Sequence, residues 1–174
     1  MRQTAIIAAA ILCATLVFST VAEDAAAIDV GAELARMYDE DQRERQTGKL
    51  SPENDRNRRE QVRLWILEEK LVDAADYYYA GMIFQHSADR SGRDHLVAHV
   101  LATTAALKGD RRGRWLSAAA LDRFLDFNAM EQMFGTQFER DDEGVWHPGD
   151  VDALITESLR LEFDLPDAET NLKR

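Results

Sequence analysis

Three of the four histidines in this 174-residue chain, His86, His95 and His99, fall within MIFQHSADRSGRDHLVAH, residues 82–99. Imidazole changes charge near neutral pH, so rings this close in sequence can carry protons, hold a metal or fix helices in register. At 100° per residue, a helix capped by Asp94 puts His95, His99, Ala102 and Ala106 on one stripe. A following helix over 114–127 aligns Trp115, Ala118, Ala119, Asp122 and Asp126. Both stripes are small-residue surface carrying a polar group, and a short connection favours antiparallel neighbours. On that geometry His99 and Asp122 come within reach and share one buried network, with the carboxylate fixing the imidazole.

Three chemistries fit such a cluster. One is a satisfied polar network that fixes helix register. Another is an acid–base site with His86 and His99 as proton carriers, Asp122 beside them and Arg123 gripping an anionic group. The third is a metal site, in which His95 and His99 form a bidentate pair and His86 or Asp122 adds a ligand. HLVAH lacks the glutamate that the H-E-x-x-H pattern places beside its metal, so no tightly bound zinc and no cofactor are expected. His147, next to Pro148, reads as exposed. Gly135 permits a backbone conformation that other residues resist, and Thr136 and Gln137 bring hydrogen-bonding side chains to that turn. DRNRRE near residue 55 could hold an anion but reads as a solvated helix face, and Tyr77–Tyr79 read as core. No glycine-rich phosphate loop, nucleophile elbow or dinucleotide fingerprint is present.

The elements that must position these residues are helices. Val30, Leu34, Met37 and Tyr38 mark a first amphipathic helix that stops near Gly48. Ser51, Pro52 and Glu53 open a second helix, which carries Val62, Trp65 and Ile66. Asp73 can cap a third over AADYYYAGMIFQH, and residues 87–93 read as a loop. The fourth, capped by Asp94 and ended by Gly109, has no charge from His95 to Leu107 and reads as the buried centre of a bundle. A fifth runs from about Arg114 to Phe127. Thr136, Phe138, Val145 and Trp146 flank the DDEG turn and predict a short hairpin. Asp150 is expected to cap a last helix through about Phe163, with a frayed tail over 166–174. The fold class is therefore all-α, one bundle of about six helices with a small hairpin.

Residues 1–22 read as a signal peptide: Arg2, an uncharged apolar run from Ala5 to Ser19, then Thr20-Val21-Ala22 as a small-residue exit. The run is short for a membrane span, and no stable anchor is expected after cleavage. Cleavage would remove Cys13, the single cysteine, which excludes thiol nucleophiles, disulfides and Cys-based metal sites from the remaining chain. It would also remove Arg2, making the balance one unit more acidic than the −11 of the whole sequence. An acidic surface disfavours nucleic acid and anionic lipid as partners. The expected location is the periplasm or the exterior of the cell.

IFQHS (83–87), AHVLATTAALKGD (98–110), WLSAAALDRFL (115–125) and QMFGTQF (132–138) together resemble domain-of-unknown-function family 6624, a mainly bacterial group often carried on exported proteins. The resemblance covers about residues 51–165, with 23–50 an additional N-terminal helix. It implies that Gln85, His86, His99, Asp122, Arg123, Gln132, Gly135, Thr136 and Gln137 are the functional positions, and it leaves His95 outside them. RLEFDLP follows the family's ending only loosely, which gives Arg160 no assigned role. The residues and the resemblance together lead to a binding or interaction module of the cell envelope. Its partner is an unidentified small molecule or envelope protein, and Gln85, Arg123, Gln132, Thr136 and Gln137 are its ligand-binding candidates. The alternative is a small hydrolase-like enzyme using His86, His99 and Asp122 as an acid–base site.

Overall fold

The structure is a computed structural model and describes residues 28–88, 92–149 and 151–166. The expected signal peptide and the tail beyond Pro166 lie outside the described residues. The helical expectation holds: six helices and one antiparallel hairpin make up the described chain.

Helix α1 (Val30–Thr47) starts where Asp29 accepts a hydrogen bond from the Ala32 amide at 3.1 Å, and it stops at Gly48 in the left-handed conformation. Helix α2 (Pro52–Leu67) is capped by Ser51 as the sequence predicts. In α3 (Ala74–Gln85) the Asp76 carboxylate reaches back to the amides of Val72 and Asp73, both at 2.9 Å, and satisfies the chain entering the helix. Helices α4 (Arg93–Leu107) and α5 (Arg112–Phe127) follow, then strands β1 (Phe138–Arg140) and β2 (Trp146–Pro148), then α6 (Glu157–Glu162). The strands pair Glu139 with His147 at the centre of the expected hairpin.

Helix α4 packs between α3 and α5, and α1 lies across α3. Leu34 of α1, Val62 and Trp65 of α2, Ile83 and Phe84 of α3 and Leu101 of α4 form one core cluster. A smaller cluster near the C-terminal end sets Phe134 against Phe163, ring centres 4.6 Å apart, over Ala118 and Leu165. The small residues of α4 and α5 let their backbones approach. A Cβ added at Gly113 would collide with the Ala102 carbonyl and stand 2.7 Å from the Ala106 nitrogen.

Three local expectations change. Helix α4 begins two residues earlier, at Arg93, with Gly92 in the left-handed conformation at its start. Asp94 is not the cap, because its buried carboxylate is taken by Arg63, by Arg59 at 3.3 Å and by the Ser87 hydroxyl at 2.7 Å. Nor is α4 buried all round. It is held on the sides that meet α3 and α5, while Leu96, Val100 and Leu107 are exposed. The last helix is shorter than expected and starts after Thr156. Val151 instead bridges to Gln132, and Asp152 turns the chain through a bond to the Leu154 amide, so 151–155 is committed to other partners. Asp150 lies outside the described residues.

Candidate functional site

Asp122 is fully buried in the last turns of α5, and both its oxygens are engaged. Oδ1 accepts from the amides of Met133 and Phe134 at 2.8 and 2.9 Å. Oδ2 accepts from the amide and the hydroxyl of Thr136, both at 2.8 Å. A carboxylate with four donors is a strong anchor for an irregular backbone. The turn it holds needs Gly135, whose φ of +66° lies where side chains are disfavoured. Arg160 of α6 closes the turn from the other side. It donates through Nη1 to the Phe134 carbonyl and through Nη2 to the Pro166 carbonyl at 3.1 Å.

This anchored turn aims Gln137 at Arg123, the next residue along α5. Arg123 Nε donates to Gln137 Oε1 at 2.9 Å, and Nη1 donates to the Gln85 carbonyl at the end of α3, also at 2.9 Å. Gln137 is held in turn by Gln132. The Gln137 amide donates to Gln132 Oε1 at 2.9 Å, and Gln132 Nε2 donates to the Gln137 carbonyl at 3.1 Å. The side-chain amides of Gln85 and Gln137 converge on the Ala119 carbonyl. Gln85, Arg123, Gln132, Thr136 and Gln137 are thus tied into one hydrogen-bonded unit with Asp122.

His86 follows Gln85 as the C-terminal cap residue of α3. Its Nδ1 lies 2.6 Å from Oδ2 of Asp41 on α1, and Asp41 is almost completely buried. Burial alone would raise the Asp41 carboxyl. The hydrogen bond and charge of His86, with Arg45 behind them, outweigh burial and hold it below the ordinary carboxylate value. An ionised carboxylate only accepts, so Nδ1 carries the hydrogen and Nε2 is the free ring nitrogen. The His86 side chain is 16% exposed, and Nε2 is not among the buried atoms without a partner, so this edge reaches solvent. Behind the pair, Arg45 bonds Asp41 at 2.8 Å and Asp55 at 3.1 Å. Arg58 bonds Asp55 and Glu44, each at 2.7 Å.

Arg123 differs from these arginines. Among the described residues it forms no ion pair, and both its hydrogen bonds go to neutral acceptors. Burial presses the guanidinium below its ordinary value, the like charge of Arg45 adds to this, and Asp126 opposes it without bonding to it. Its Nη2 carries no bond and is not a buried orphan, so it too faces solvent.

The expected His99–Asp122 network is not formed. His99 Nδ1 lies 2.8 Å from the Ser117 carbonyl, to which it must donate, while Asp122 is saturated by the 133–136 turn. Asp122 therefore has no oxygen free for proton transfer, and its role is positioning. His95 is fully buried with its ring centre 4.9 Å from that of Phe127, a core residue outside the site. His147 is exposed as expected and pairs with Asp141 at 2.6 Å. Tyr78 is buried as expected. The stretch near residue 55 is not simply a solvated face, since Arg58 is buried. No three His, Cys, Asp or Glu side chains gather as a metal-ligand set among the described residues.

Asp41 and Arg45 were missed by sequence reasoning, Arg58 was passed over within DRNRRE, and Arg160 was left without a role. A signal existed for the first three. Leu34, Met37, Asp41 and Arg45 follow one helical stripe, as do Arg58, Val62 and Trp65, so the charges continue faces that are apolar elsewhere. No family model, curated protein or solved structure matches the chain.

Proposed function

We propose that this is an exported binding module whose recognition site is the end of α3, where Arg123 and Gln137 meet at Gln85, the residue before His86. One observation carries the reading: Arg123 is held in position by the Gln85 carbonyl and Gln137 while, among the described residues, no carboxylate bonds it. A buried cation is normally paired, because its desolvation otherwise goes uncompensated. An arginine kept rigid but without an ion pair suits a recognition site for an external partner. The resemblance to family 6624 belongs to the same proposal. Its Gln-His, Asp-Arg and Gly-Thr-Gln elements are far apart in sequence yet converge on this site, His99 excepted. The cell-envelope setting rests on the signal-like N-terminus, and the mass of the exported protein should begin at Glu23.

The test is thermal unfolding of the purified chain against a panel of small metabolites. A ligand at a hundred times its dissociation constant adds about 2.7 kcal/mol, a shift that is easily read. Supporting hits lose their shift in Arg123→Gln and keep it in His99→Ala. Hits indifferent to Arg123 would place recognition elsewhere.

The His86–Asp41 pair favours a second reading, an acid–base enzyme. Asp41 fixes the ring and would hold the imidazolium formed when Nε2 takes a proton from a water or hydroxyl. Asp41, and not Asp122 or His99, is then the partner of His86. Turnover of an ester or amide panel that collapses in both His86→Gln and Asp41→Asn would establish this reading over simple binding.

A further inference from the structure

We infer that the ligand taken at the end of α3 is a small oxyanion, a carboxylate or a phosphate ester, gripped by Arg123 Nη2 with His86 Nε2 alongside. This rests on the binding reading above and names the chemistry of its ligand.

Asp41, Glu44 and Asp55 contribute three carboxylates, and Arg45 and Arg58 contribute two guanidinium groups, each bonded within the set. The single negative charge left over stays within that set, where His86 bonds Asp41. Arg123 stands outside it with one positive charge. Its held atoms are Nε and Nη1, and its open atom is Nη2, on the same guanidinium plane that matches an oxyanion. Gln137 and the Gln85 carbonyl fix that plane before any ligand arrives, which lowers the entropy lost on binding. His86 is the neighbour of the residue that Arg123 holds, and its open Nε2 provides a second donor when protonated. Asp126, the nearest acidic influence, is exposed and makes no bond to Arg123, so it does not occupy the fork.

The experiment follows the His86 ring nitrogens by NMR, with unfolding midpoints in parallel, during titration with inorganic phosphate and with acetate. Sodium chloride at matched ionic strength is the control. A saturable shift of Nε2 with either oxyanion, absent with chloride and lost in Arg123→Gln, is expected. The tighter of the two probes assigns phosphate ester or carboxylate. Gln137→Glu leaves Arg123 in place and supplies the missing acid, so it should weaken the oxyanion by at least about tenfold. That variant keeps the test decisive if Arg123→Gln does not fold. Chloride-like behaviour of both anions, or affinity unchanged in Gln137→Glu, overturns the inference. If neutral metabolites move Nε2 while oxyanions do not, the binding reading stands and the oxyanion falls. If neither class does, both fall.

Discussion

Asp122 and Arg123 are consecutive in the chain and grip the same turn by opposite means. Asp122 takes its amides, and Arg123 takes the side chain of Gln137. Asp122→Ala would orphan three amides and a hydroxyl, and should cost about 3–5 kcal/mol in urea unfolding. His99 bonds a different carbonyl and shares no partner with Asp122, so His99→Ala and the double mutant should be additive within about 0.5 kcal/mol. A larger coupling would restore the shared network that the sequence suggests. Asp41 makes a pH-dependent contribution. Its carboxyl titrates below 3.8 in the folded chain, so its stabilisation is complete above the unfolded value. That contribution is lost as pH falls from about 4 through the lower folded value. Asp41→Asn should therefore be less stable than the native chain at pH 7, and its stability should decline less on acidification from about pH 5 to pH 2. Parallel stability–pH curves would show that the carboxylate is not so coupled.

At the level of elements, the decisive contact is backbone against backbone. Gly113 lets α5 lie on α4 at Ala102 and Ala106, and neither obstructing atom there belongs to a movable side chain. Gly113→Ala should cost about 1–3 kcal/mol by thermal or urea denaturation, despite alanine's better helix propensity. A neutral or stabilising result would mean that the helices can separate freely. Gly113 fell just outside the helix expected from about Arg114, whereas the α4 side of this approach, Ala102 and Ala106, was legible in the sequence, as were the caps at Ser51 and Gly48 and the hairpin. These depend on local chemistry and period. The cap of α4 was not legible, because Asp94 has cap chemistry but long-range partners in Arg59 and Arg63. The exposed face of α4 was missed for a related reason. Periodicity reports which side chains are apolar, and only the arrangement of neighbouring helices decides which of them find a cover. At the site, the Gln-His, Asp-Arg and Gly-Thr-Gln residues were all identified; Gln85, Asp122, Arg123, Thr136 and Gln137 are bonded together, while the His86 side chain turns to Asp41. Asp41 was hidden because it sits in a run of charges that, read alone, resembles a solvated face.

At the scale of the whole molecule, contacts divide by how far apart in the chain their partners lie. The Asp122 turn joins residues 11 to 14 positions apart, within one helix and the loop that follows it. The bond between Asp41 and His86 spans 45 positions and depends on α1 lying across α3. Closing the longer loop is the entropically slower step, so the Asp122 turn, with its Arg123–Gln137 bond 14 positions apart, is expected to form before the His86 ring is fixed. Leu34, fully buried on the same stripe as Asp41, reports on that step. Leu34→Ala should leave the refolding rate nearly unchanged and accelerate unfolding in stopped-flow measurements, and equal effects on both limbs would place α1 in the folding nucleus. If α1 detaches transiently while the α4–α5 pair stays closed, the molecule visits a form that keeps its arginine fork but has lost the partner that orients its imidazole. Amide exchange should then be faster along α1 than along α5.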